Sequence, residues 1–212
     1  MIHYLLIIYI GIEFILMPQA NPVYPPPETT YTIICFGNSL TAGYNLDPAL
    51  AYPAVLERKL KEMGYDAEVI NAGLSGETSA GGLDRINWIL RQPIDIFILE
   101  LGGNDGLRGL PLDQTKNNLQ KIIDRVKEKY PDAKIVVAGM MVPPNMGDMY
   151  GSQFIKIYPD LARENKAKLI PFLLEGVGGD PKLNLADGIH PNVEGHTIVA
   201  ENVLKVIEPL LK

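Results

Sequence analysis

The sequence predicts a three-layer α/β/α domain built on a five-stranded parallel sheet. Short apolar runs rich in β-branched residues alternate with longer segments of helical periodicity, five times along the chain. The runs are apolar almost throughout, as strands covered on both faces must be. The Gly-rich segments each follow a run, where the loops beyond the carboxyl ends of parallel strands fall.

A first strand is expected over 32–36, Thr32-Ile33-Ile34-Cys35-Phe36, and a helix over 52–63. A second strand over 68–71 precedes a helix over 83–91. The third strand, 94–101, is the longest apolar run. Behind it, the helix 112–130 carries Leu119, Ile122, Ile123 and Val126 as an inward stripe. Strands over 135–139 and 169–172 bracket a helix over 154–165. A last helix over 195–211 turns Ile198, Val199, Val203, Leu204 and Ile207 inward. Right-handed crossovers then place helices on both faces of the sheet. No internal repeat occurs, so 31–212 reads as one domain.

The 212 residues are 47% hydrophobic and 21% charged, an ordinary globular composition. A net charge of −6 argues against nucleic acid as a partner, and no stable protein partner is implied. The single cysteine, Cys35, excludes an internal disulfide and reads as core. Residues 1–30 differ in kind: Tyr4 to Met17 is nearly all apolar, and Pro25-Pro26-Pro27 follows. This reads as a leader or anchor with an extended linker, so an exported (periplasmic or extracellular) or membrane-tethered protein is expected, with a cytoplasmic one the alternative. The stretch is short for a spanning helix, which needs roughly 20 residues.

Two stretches carry chemistry. Gly37-Asn38-Ser39-Leu40 would put the Ser39 hydroxyl at the carboxyl end of the first strand. Asp187-Gly188-Ile189-His190-Pro191 places a carboxylate three residues before an imidazole. A serine hydroxyl needs a base within hydrogen-bond reach, and the base needs an orienting group. The chain has three histidines. His3 lies in the apolar leader and His196 lacks a neighbouring aspartate, which leaves His190 as base and Asp187 as its partner. Acyl transfer also needs donors for the tetrahedral oxyanion. The Gly76 backbone N–H and the Asn104 side-chain amide follow the second and third strands and suit that role. No Gly-x-Ser-x-Gly elbow, Walker A pattern, Gly-x-Gly-x-x-Gly or His-Glu-x-x-His helix occurs, so neither cofactor nor metal is expected.

The segments Gly37–Tyr44, Asn71–Ser79, Leu101–Gly109 and Asp187–Pro191 resemble the SGNH (GDSL-type) hydrolases. Within them the likeness is greatest to the bacterial thioesterase/lysophospholipase/arylesterase branch. The resemblance covers the chain from Thr32 onward and implies the flavodoxin-like version of the fold. It implies Ser39 as nucleophile, His190 as base and Asp187 as its partner. It also implies an oxyanion hole from the Ser39 N–H, the Gly76 N–H and the Asn104 side chain. The segment 106–110 is similar to a mobile loop beside the acyl pocket.

Leu107 and Leu110, with Met141 and Val142 of the 140–146 stretch, are the expected apolar lining. In one respect the chain departs from the family: Asn38 stands where Asp is usual. Asn38→Asp is expected to be tolerated, since both side chains accept the same loop hydrogen bonds. The main reading is a serine esterase that hydrolyses short- to medium-chain carboxylic (aryl or alkyl) esters through an acyl-enzyme. An acyl-thioesterase or lysophospholipase, a polysaccharide deacetylating esterase and a non-catalytic binding protein remain open beside it.

Overall fold

A computed structural model describes residues 30–211, and the expected leader lies outside the described residues. Five strands form one wholly parallel sheet: β1 (Tyr31–Gly37), β2 (Ala67–Gly73), β3 (Ile96–Glu100), β4 (Lys134–Ala138) and β5 (Lys168–Ile170). Their spatial order is β2-β1-β3-β4-β5, the flavodoxin-like arrangement. All five expected strands are present, and the three central ones are almost wholly buried, as their continuous apolar character requires.

The helices are α1 (Ser39–Ala42), α2 (Tyr52–Glu62), α3 (Ser79–Ile89), α4 (Gly103–Leu107), α5 (Leu112–Lys129), α6 (Asp148–Asn165) and α7 (Val193–Ile207). α2 packs on α7, while α5 packs on both α3 and α6, which makes the outer two layers. The α5 stripe is completely buried, as its spacing predicts.

Differences from the expected boundaries have local causes. α3 starts four residues early, at Ser79, because the Thr78 side chain caps it through the Gly81 N–H; two glycines hide that turn from a periodicity reading. β3 is shorter than 94–101. Asp95 ends the pairing on β1, taking the Thr32 N–H on its carboxylate (2.7 Å) and donating its own N–H to the Thr32 carbonyl. α7 stops at Ile207, and Pro209 sits in a 3₁₀ turn, Glu208–Leu210. α1 and α4 are single turns, too short to show a period, and both begin inside segments the sequence marks as loops.

The strand order reverses between β1 and β3, and the crevice of such a sheet lies outside their carboxyl ends. α1 follows β1 there, and α4 follows β3. The backbone of α1 rests directly on the end of β2: a Cβ added to Gly73 would lie 2.2 Å from the Ala42 nitrogen and 2.7 Å from its Cα. Gly73→Ala is therefore expected to destabilise the fold by about 1–3 kcal/mol through overpacking, and to lower activity by displacing the turn that carries Ser39. Denaturant midpoints of the two proteins check this, and unchanged stability would mean that α1 is not held against β2.

Candidate active site

Ser39 opens α1 immediately beyond β1. Asn38 caps that turn, its Oδ1 accepting the Leu40 N–H at 2.9 Å. The Ser39 hydroxyl meets His190 Nε2 at 2.9 Å, and His190 Nδ1 meets Asp187 Oδ2 at 2.7 Å. The carboxylate fixes the tautomer: with the proton on Nδ1 facing Asp187, Nε2 keeps its lone pair for the serine proton. A serine and an Asp–His turn about 150 positions further along the chain are thus brought together.

The Asp187 turn is held by its own backbone. Asp187 Oδ1 accepts the Ile189 and His190 N–H groups at 2.9 and 3.0 Å. These two bonds, then the imidazole, pull the Asp187 carboxyl down to about 2. A depressed carboxylate contributes stability that is present above its ordinary value of 3.8 and lost as pH falls through about 2. The side chain is 36% exposed, so solvent screens much of that contribution. The loop is closed by an antiparallel bridge from Asn184 to Pro191 and by Leu185 N–H on the His190 carbonyl. Tyr44, which sequence reasoning did not single out, covers the imidazole with ring centroids 4.4 Å apart.

His196 has a different place. It is buried on α7, and its Nδ1 accepts the Tyr52 N–H at 3.1 Å, satisfying an orphan donor at the start of α2. Burial pushes it down to about 4, so it stays neutral. Cys35 is fully buried in β1, its thiol pushed up to about 12 by burial, and behaves as core.

The proposed oxyanion donors lie at the same end of the sheet. Leu74 N–H bonds the Gly37 carbonyl, and Glu77 N–H bonds the Leu74 carbonyl, which turns the chain around Ser75 and Gly76. Among the described residues the Ser39 and Gly76 N–H groups donate to no protein acceptor. Asn104 lies in α4; one of its amide hydrogens goes to the Glu77 carbonyl at 2.9 Å, leaving the second to point elsewhere. Arg108 reaches the Gly76 carbonyl at 3.0 Å.

Two buried carboxylates brace these segments. Glu77 pairs with Arg85, whose guanidinium lies 4.4 Å over the Phe36 ring and also bonds the Ala72 carbonyl. Asp105 accepts the Ser79 N–H and hydroxyl, tying α3 to α4. Both lie within the motifs noted in the sequence, but their partners could not be read from it.

The expected lining residues fall on two touching segments. Leu107 and Met141 are 42% and 45% exposed, while Leu110 and Val142 are half-buried. A Cβ on Gly106 would come 2.5 Å from Val142 Cγ1, and Met146 Cε approaches Gly109, so the segments form one wall. Among the described residues no cluster of His, Cys, Asp and Glu could hold a metal.

A hydroxyl on an imidazole on a carboxylate, at the switch point of a parallel sheet, is the layout of a serine hydrolase. The chain belongs to the GDSL-like Lipase/Acylhydrolase family, which matches residues 35–198. Esterase TesA of Pseudomonas aeruginosa is 39% identical over 181 residues, 85% of this chain and 89% of that protein. Thioesterase 1/protease 1/lysophospholipase L1 of Escherichia coli is 38% identical over 181 residues, 85% of each chain. The crystal structure of TesA superposes with a TM-score of 0.80 at 39% identity, covering 86% of this chain and 99% of that one.

The amide of Asn104 is pinned through the Glu77 carbonyl, so its removal should act on the reaction rather than on binding. Asn104→Ala is expected to lower kcat about 10²–10³-fold with little change in KM, the usual cost of one oxyanion donor. Steady-state kinetics on a p-nitrophenyl ester decide it; a change confined to KM would make Asn104 a positioning or turn residue.

Proposed function

We propose that this protein is a metal-free serine esterase that hydrolyses short- to medium-chain carboxylic esters through an acyl-enzyme. The observation that carries the reading is the Ser39–His190–Asp187 line, with contacts of 2.9 and 2.7 Å. His190 Nε2 takes the Ser39 proton as Oγ attacks the acyl carbon. The tetrahedral oxygen is received by the Ser39 N–H, the Gly76 N–H and the free Asn104 hydrogen. His190 then protonates the departing alkoxide or phenoxide. In the second half the same imidazole draws a proton from water, whose oxygen attacks the acyl carbon and releases Ser39. Asp187 stays ionised throughout and offsets the charge on the imidazolium.

The name of the Escherichia coli relative supports a second reading, thioester or lysophospholipid hydrolysis by the same residues. A short ester is favoured over a lysophospholipid because the wall formed by Leu107 and Met141 is about half open to solvent.

Substrate length follows from that wall. Each buried methylene contributes about 0.8 kcal/mol until the apolar surface ends. Across p-nitrophenyl esters, kcat/KM is therefore expected to rise and then fall with acyl length, with no jump at the micelle point. A steady rise to the longest chains, or activation at an interface, would make this protein a true lipase.

A further inference from the structure

The ion pair beside the Gly76 turn grips more than its own two side chains. Arg85 lies midway along α3, and its guanidinium reaches three separate acceptors. Its Nε donates to Glu77 Oε1 at 2.8 Å, and its Nη2 donates to Glu77 Oε2 at 2.5 Å. The same Nη2 donates to the Ala72 carbonyl at 2.9 Å. The guanidinium also lies 4.4 Å over the Phe36 ring of β1, and Phe36 is level with Ala72 across the sheet. Glu77 is buried, and among the described residues its carboxylate accepts from no donor but Arg85.

Arg85 thereby closes a loop. Residues 72–77 leave the end of β2, turn at Ser75 and Gly76 and lead into α3, and one guanidinium holds both the first and the last of them. Two groups depend on that segment. The Gly76 N–H lies within it. The Glu77 carbonyl at its far end accepts one Asn104 amide hydrogen at 2.9 Å, which fixes the direction of the other. We propose that Arg85 is a positioning residue for the oxyanion hole, acting through Glu77 on the Asn104 amide and the Gly76 N–H, an inference that rests on the esterase reading in which those groups receive the tetrahedral oxygen.

The shape of the guanidinium matters as much as its charge. A two-pronged contact sets the plane of the Glu77 carboxylate as well as its distance, and a planar cation can do so while lying flat on Phe36. A lysine at 85 keeps the charge but is a point donor without a fixed plane. The other brace nearby acts further along the chain. Asp105 bonds Ser79 and joins α3 to α4, whereas Gly76 and Glu77 precede that junction and are tied to α3 by the Arg85 fork.

Two consequences separate this role from plain support of the fold. Oxyanion donors act on charge that develops only in the transition state, so altering Arg85 should lower kcat and leave KM nearly alone. The effect should also depend on Asn104. Once that amide is removed, its misplacement costs nothing, and only the Gly76 N–H is left to displace. The losses from Arg85 and Asn104 should therefore overlap, whereas those of independent residues would multiply.

The test measures kcat and KM on p-nitrophenyl butyrate for wild type, Arg85→Lys, Glu77→Gln, Asn104→Ala and Ser39→Ala, and for Arg85→Lys and Glu77→Gln each combined with Asn104→Ala. Thermal unfolding is followed alongside. Arg85→Lys is expected to lower kcat about 10- to 100-fold with KM within about threefold, the cost of displacing a reacting group by up to about 1 Å. Glu77→Gln keeps the side-chain shape and one acceptor, and should lose less in the same direction. In the Asn104→Ala background each change should cost less than about a third of its factor in the wild type. Equal factors in the two backgrounds would overturn the proposal, as would an unchanged kcat or a loss confined to KM in Arg85→Lys. Failure of both Arg85→Lys and Glu77→Gln to fold would also overturn it, by making the pair a support of the whole domain. Full activity in Asn104→Ala would instead remove the oxyanion assignment. Absence of hydrolysis by wild type, or full activity in Ser39→Ala, would remove the esterase reading itself.

Discussion

The structure turns on the parallel pairing of β1 with β2 on one side and β3 on the other. Gly37 is level with Gly73 across the first pair and with Glu100 across the second. The three strands therefore end together, and the segments leaving them carry Ser39, Gly76 and Asn104. The reversal of strand order at β1/β3 keeps that end free of a crossover helix. A slip of one residue in either register would turn the strand side chains to the opposite face and separate these groups.

Alignment alone does not fix the segments that carry Ser39, Gly76 and Asn104, and the buried polar network does the rest. Each polar segment at the strand ends is tied to another by an ionic or charge-assisted bond: Glu77 to Arg85, Asp105 to Ser79, Glu100 to Asn38 and Thr41. Such groups are costly to bury and are tolerated only when their donors and acceptors are matched. The exposed components are the Asp187 turn and the apolar wall of Leu107 and Met141. The site thus has a rigid floor on the sheet and a more open side toward solvent.

Much of this was legible in the sequence because it depends on local pattern. The near-continuous apolar character of 94–101 and 135–139 marked buried strands, and the α5 stripe marked its helix. Asp187 and His190 meet as their spacing suggests because both lie in one short turn. What escaped reading depends on partners distant in the chain. Glu100 sat in plain view as an acid ending an apolar run, but nothing near it names Asn38 or Thr41 as its donors. Tyr44 lies within the first motif, and its contact with His190 depends on the return of a loop from the far end of the chain. Asn38 shows the limit best. Its acceptor role follows from its place before a helical turn, whereas its donor role exists only because β3 pairs beside β1.

The central claim is that the Ser39 oxygen is the atom that receives the acyl group. A p-nitrophenyl alkylphosphonate tests it directly, since the phosphorus is attacked as the acyl carbon would be and the adduct persists. Stoichiometric release of p-nitrophenolate, with the matching mass increase confined to the peptide that contains Ser39 and absent from Ser39→Ala, is the expected result. Labelling of another residue such as Ser75, or no labelling of a folded protein, would contradict it.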